Sequence, residues 1–111
     1  MDLSTIRHQL INACTEGNLE IVKKLVSSET KIKNKVVNNA LIRASLYGHL
    51  KIIKYLVSQG ANIRVRHDTA LHYAVGNGFF DIVKYLVETG APVDGLSTEV
   101  LDYIAFSKKN D

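Results

Sequence analysis

Three stretches of this sequence are versions of one another, and nothing else in it limits the possible folds as strongly. They run from Leu10 to Ile32 (LINACTEGNLEIVKKLVSSETKI), from Leu41 to Ile63 (LIRASLYGHLKIIKYLVSQGANI) and from Leu71 to Val93 (LHYAVGNGFFDIVKYLVETGAPV). Ala13, Ala44 and Ala74 correspond, as do Gly17, Gly48 and Gly78 and the pairs Leu25-Val26, Leu56-Val57 and Leu86-Val87, each series advancing by 31 and then 30 residues. A fixed period of this size marks a stacked array, in which one unit cannot bury its apolar face alone and must lean on its neighbours.

Within each unit the apolar residues follow helical spacing. Ile6, Leu10, Ile11 and Cys14 share one side of a helix ending near Gly17, with Ser4 as its expected N-cap. Asn18 caps a second helix whose stripe is Ile21, Val22, Leu25 and Val26, with Glu20 in the first turn opposing the helix dipole. The lysine-rich segment SSETKIKNKVV, residues 27–37, reads as a solvated connector. In the second unit Asn38 or Asn39 is the expected cap of a helix carrying Leu41, Ile42 and Ala44, and the next helix buries Ile52, Ile53, Leu56 and Val57 before Gly60. The third unit repeats this with Asp68 or Thr69 as cap and Ile82, Val83, Leu86 and Val87 as stripe, Pro92 preventing continuation. A last helix capped by Ser97 or Thr98 carries Val100, Leu101, Ile104 and Ala105, with Asp102, Lys108 and Lys109 for its wet side. The expected architecture is an all-α solenoid of three helix-turn-helix repeats, about 4–37, 38–67 and 68–96, and a capping helix, about 97–108. Ala13, Ala44 and Ala74 are expected where successive first helices approach too closely for a larger side chain.

A chain of 111 residues suits one domain, and 46% hydrophobic against 23% charged residues is ordinary for a globular protein. No apolar run reaches the ~18 to 20 residues of a membrane span, and the N-terminus lacks an apolar signal core. Cytoplasm is the expected location, with the nucleus left open and secretion not expected. The single cysteine, Cys14, has no internal disulfide partner and is equivalent to Ser45 and Val75, a packing position. Charge changes sign along the array: residues 1–37 balance to +2, residues 38–67 to +5 with no acidic residue, and residues 68–111 to −4. Such a field orients an approaching partner.

The motifs of catalysis are not in this sequence: it holds no Gly-rich phosphate loop, no paired-cysteine metal motif and no nucleophile beside a base in a recognised arrangement. His67, Asp68 and His72 lie close enough in sequence to be weighed as metal ligands, and packing roles are preferred for them. The expectation is therefore a non-enzymatic chain with no cofactor and no metal. Tyr55 and Tyr85 share one position on the second helices and are expected to pack between units.

Taken together these residues resemble ankyrin repeats. Thr69-Ala70-Leu71-His72-Tyr73-Ala74 is similar to the TPLHxA signature, with Ala70 in the place of proline. Gly48-His49, Ile52-Ile53, Leu56-Val57 and Gly60-Ala61-Asn62 also match the family, and the short period is similar to that of ankyrin arrays of giant DNA viruses. The resemblance implies that His72 forms loop-organising hydrogen bonds. Gly60 and Leu71 are 11 residues apart, fewer than the family's usual ~14, so the projecting finger loop is expected to shrink to a tight connection. Glu29 and Thr30 stand where the second unit has Gly60 and Ala61, so the left-handed helix terminus is not expected there.

The resemblance further implies a protein-binding surface on the concave side, formed by the first helices and the inter-repeat loops. On this sequence it falls on Thr15, Glu16, Arg43, Leu46, Tyr47, Tyr73 and Asn77, with Lys33, Lys35, Arg64, Arg66 and His67 from the loops. Its basic loops point to an acidic protein partner, and Arg66 and Tyr47 are of the types enriched at interface hot spots. The alternative is electrostatic nucleic-acid binding through Lys31, Lys33, Lys35, Arg64 and Arg66. A monomer or a weak homo-oligomer is expected, the outer face of the first unit being the one without a neighbour.

Overall fold

A computed structural model describes residues 2–28 and 34–109, and all regular structure among them is helical. The helices are α1 (Leu3–Glu16), α2 (Leu19–Ser28), α3 (Asn34–Tyr47), α4 (Leu50–Ser58), α5 (Val65–Gly76), α6 (Phe80–Glu88) and α7 (Thr98–Lys109). At 9 to 14 residues each is marginal alone in water, so packing must hold it. Each unit is a pair, α1 with α2, α3 with α4 and α5 with α6; the first helices pack in a row, α1 on α3 and α3 on α5, α2 lies against α4, and α7 closes the end against α6. The result is a stack measuring 46 × 26 × 20 Å.

One continuous core runs through the stack. Leu10, Leu41 and Leu71 fill each pair, the stripes Ile52-Ile53-Leu56 and Ile82-Val83-Leu86 join it, and Ala13, Ala44 and Ala74 are 4%, 0% and 0% exposed where first helices meet. The alanines are therefore packed positions of the first helices. Ser45, fully buried, donates its hydroxyl proton to the Leu41 carbonyl at 2.9 Å and leaves no polar atom unpaired.

The turns between paired helices lock successive units together. Gly17 and Gly48 adopt left-handed φ values of 81° and 83°, and each also has an aromatic ring of the next unit against its Cα. A Cβ on Gly17 would lie 2.6 Å from Cε1 of His49, and one on Gly48 would lie 2.8 Å from Cζ of Phe79. His49 Nε2 donates to the Thr15 carbonyl at 3.0 Å, an acceptor that requires the proton on that nitrogen. Gly78 has the same backbone, φ 73°, but nothing within 4 Å of an added Cβ. Gly48→Ala should therefore lower the urea midpoint more than Gly78→Ala: both incur the ~1 kcal/mol of a left-handed alanine, and only the first must also displace an aromatic ring. Equal losses would contradict the close approach.

Several local expectations give way to contacts from farther along the chain. Asp2, not Ser4, caps α1, its Oδ1 accepting from the Thr5 N–H at 2.8 Å. Asn38 and Asn39 lie inside α3, which begins at Asn34, and Asn38 Oδ1 instead accepts the Asn62 N–H at 2.7 Å across the connection. Val37, expected in a solvated connector, is 5% exposed because α3 carries it into the core. Lys31, Lys33, Glu29 and Thr30 lie outside the described residues. Asn18 does cap α2, through the Ile21 N–H at 3.2 Å, and Ser97 caps α7, through the Val100 N–H at 3.3 Å.

The connection into α5 is short and contains no strand. Asn62 Oδ1 accepts from the Arg64 N–H at 2.9 Å, and Arg66, His67 and Asp68 then take left-handed φ values of 54°, 56° and 64° before regular helix resumes. Asp68 does not act as the expected cap: its carboxylate accepts from Arg64 Nε at 3.0 Å and Nη2 at 3.3 Å. Thr69 donates its hydroxyl to the Arg66 carbonyl at 2.5 Å. His72 is exposed and makes no hydrogen bond among the described residues, so the expected loop-organising role passes to Asn62, Asn38 and the Arg64–Asp68 pair. A connection wound back on itself leaves His72 no projecting loop to hold.

Candidate functional site

A groove crosses the row of first helices. Arg7, His8, Ile11 and Asn12 of α1, Asn39, Ile42, Arg43 and Leu46 of α3, and Arg66 and Tyr73 of α5 line it. The repeat explains the pattern, because equivalent positions fall in rows across neighbouring helices: Asn12, Arg43 and Tyr73 form one row, and His8 and Asn39 another. Three arginines stand in the lining and, among the described residues, no carboxylate does, while Ile11, Ile42, Leu46 and Tyr73 supply its apolar surface. Its volume of about 490 Å³, open to one side, suits side chains of an extended segment better than an enclosed small molecule.

Of the residues expected at a binding surface, the groove gathers Arg43, Leu46, Arg66 and Tyr73. Tyr47, 45% exposed, ends α3 just beyond it, and Asn77 follows α5, its amide donating to the Tyr73 carbonyl at 2.9 Å. Thr15 donates to the Ile11 carbonyl at 2.9 Å within its own helix. Glu16 borders a different, apolar hollow on the outer side of α1 and α2. Lys35 is exposed at the start of α3, His67 is exposed in the left-handed turn, and Lys33 lies outside the described residues. The Arg64 guanidinium is held by Asp68, whose hydrogen bond and charge push it above its ordinary pKa; the arginine directed at the groove is Arg66.

Arg7, His8, Ile11, Asn12, Asn39 and Ile42 were not among those expectations. A signal for Asn12 was present in the repeat, since it shares the position of Arg43 and Tyr73. Ile11 and Ile42 read as core by their side chains alone, yet both are only half-buried because they line the groove.

The second helices make a different surface. Lys23 Nζ sits 6.0 Å from the centre of the Tyr55 ring and Lys54 Nζ 5.6 Å from that of Tyr85, so the lysine of each unit lies over the tyrosine of the next. Partial burial raises the Tyr85 pKa from its ordinary value. Cys14 is fully buried, and desolvation pushes its thiol up to about 12, which keeps it protonated and unreactive near neutral pH. Among the described residues no three His, Cys, Asp or Glu side chains converge as metal ligands, and no helix is long and apolar enough to cross a membrane.

Comparison with known proteins bears on the repeat rather than on the groove. The family model for ankyrin repeats, three copies, matches residues 10–95. Among curated proteins no relative matches.

Proposed function

This chain belongs to the ankyrin repeat family, whose repeats are generally protein-protein interaction modules, and on that premise we propose that it binds an acidic segment of a protein partner in the groove across α1, α3 and α5. The observation that carries the reading is the grouping of Arg7, Arg43 and Arg66 beside an apolar surface with, among the described residues, no carboxylate in the lining. Arginine presents a planar fork that takes a carboxylate at two points, and Tyr73 offers a broad rigid surface beside it. An occupant with acidic side chains spaced between apolar ones meets both features. The module works by holding its partner, without catalysis, and its basic middle unit speeds the encounter at low salt.

The test is to pan a library of linear peptides against the whole chain and titrate the enriched sequences. Acidic, partly apolar peptides are expected, and Arg43→Glu combined with Arg66→Glu should weaken them at least about tenfold, equivalent to ~1.4 kcal/mol, with the helical circular dichroism unchanged. Neutral or basic peptides, or binding indifferent to the reversal, would refute the assignment. Nucleic-acid binding through Lys31, Lys33, Lys35, Arg64 and Arg66 is the competing reading, and a salt-dependent gel shift on duplex DNA or single-stranded RNA, with no peptide enrichment, would select it.

A further inference from the structure

One position of the repeat behaves differently at the end of the stack. Ile52 and Ile82 are each 1% exposed, sealed between their own unit and the one before; Ile21, the same position in the first unit, is 39% exposed. Together with Ala13 and Leu25 it borders the apolar hollow on the outer side of α1 and α2, and Glu16 and Lys24 stand at the edge. The first unit thus presents the same stacking surface that the second and third units bury.

The opposite end presents a complementary surface. α7 packs against α6, the second helix of the third unit. Val100 and Ile104 are buried accordingly. On its outward side Leu101 is 38% exposed and Phe106 68%. Asp102, one turn before Phe106, is exposed beside them.

We infer that this chain associates with a second copy of itself head to tail, the apolar face of the first unit of one copy seated on the outward face of α7 of the other. Charge selects this orientation. Residues 1–37 and 38–67 balance to +2 and +5 while residues 68–111 balance to −4, so head on tail joins opposite signs. Head on head or tail on tail would join like signs. The junction joins the apolar face of one copy's first unit to the apolar outward face of the next copy's last helix. Its two halves are different patches, so it does not close on itself at two copies but leaves one face of each kind available for the next. Asn12 borders both the head-end hollow and the groove, but none of the groove's arginines lines the hollow, and the inference stands apart from the proposed partner.

Size-exclusion chromatography with light scattering over a wide concentration range tests it. The wild-type chain should start at its monomer mass of 12.3 kDa and rise with concentration without levelling at two copies. Ile21→Glu and Phe106→Glu, both at exposed positions, should each hold the monomer mass throughout. An equimolar mixture of these two variants retains one intact head and one intact tail, and should form a two-chain species and nothing larger. Ile21→Ser and Phe106→Ser provide the same comparison should either glutamate variant lose its helical signal. A wild-type chain that stays monomeric, a mixture that stays monomeric, or a Phe106→Glu chain that still pairs alone would each overturn the inference. Arg43→Glu should leave the association unchanged, which separates this result from failure of the groove.

Discussion

Ile52→Ala should lower stability by about 2 to 5 kcal/mol, and Ile21→Ala, at the matching position of the first unit, by less than about 1 kcal/mol. The side chains are identical and sit on equivalent helices; what differs is the neighbour. Ile52 is sealed by α2 and the body of the first unit, so truncation leaves a cavity that the packed stack cannot collapse into. Ile21 at 39% exposure is already partly solvated, and its removal exposes little that was dry. Urea unfolding at concentrations low enough to keep the chain monomeric reads both values. Equal losses would mean that burial at this position comes from within each unit and not from stacking, and the repeat would then lose its role as the organising unit.

Ala44→Phe should be destabilising by about 1 to 3 kcal/mol or more, through excess volume instead of a cavity. Ala44 is wholly buried on α3, the helix gripped by α1 on one side and α5 on the other, so a phenyl ring there must push a first helix out of the row. Pushing one helix out also disturbs its junction turn, where His49 rests on Gly17 and donates to the Thr15 carbonyl. The loss should therefore appear both as a lower urea midpoint and as a weaker signature of that contact. A variant with unchanged midpoint would contradict the placement of Ala13, Ala44 and Ala74 at the helix crossings.

What could be read without coordinates, and what could not, divides by range. The apolar stripes Ile52-Ile53-Leu56 and Ile82-Val83-Leu86 and the alanines of the first helices are periodic, and periodicity is local information, so the helix pairs and their stacking were legible. Helix starts were less so. Asn38 has the chemistry of a cap, but its amide oxygen serves the Asn62 N–H, 24 residues away, a demand that exists only once the connection has folded. The left-handed run of Arg66, His67 and Asp68 was not legible either: His and Asp tolerate such a backbone, but three such residues in succession, Arg66 among them, are not signalled by local propensity. Ile11 and Ile42 were assigned to the core by hydrophobicity, whereas both line the groove. Leu101 and Ala105 were likewise expected on the buried side of α7; both are exposed, because α7 enters the core through Val100 and Ile104 instead. Arg7 entered the site for the same reason as the isoleucines: stacking gathers residues from different units into one lining, and no single unit records it.

The register of the stack is the claim on which the groove depends, and solution NMR reads it at both junctions. Nuclear Overhauser contacts are expected from the His49 ring to the α-protons of Gly17 and from the Phe79 ring to those of Gly48, with ring-current displacement of those glycine signals, because each ring lies against the Cα of a residue one unit earlier. Helical shifts across α1 to α6 without these contacts at either junction would show helix pairs that are not stacked in this order, and the shared groove would not exist.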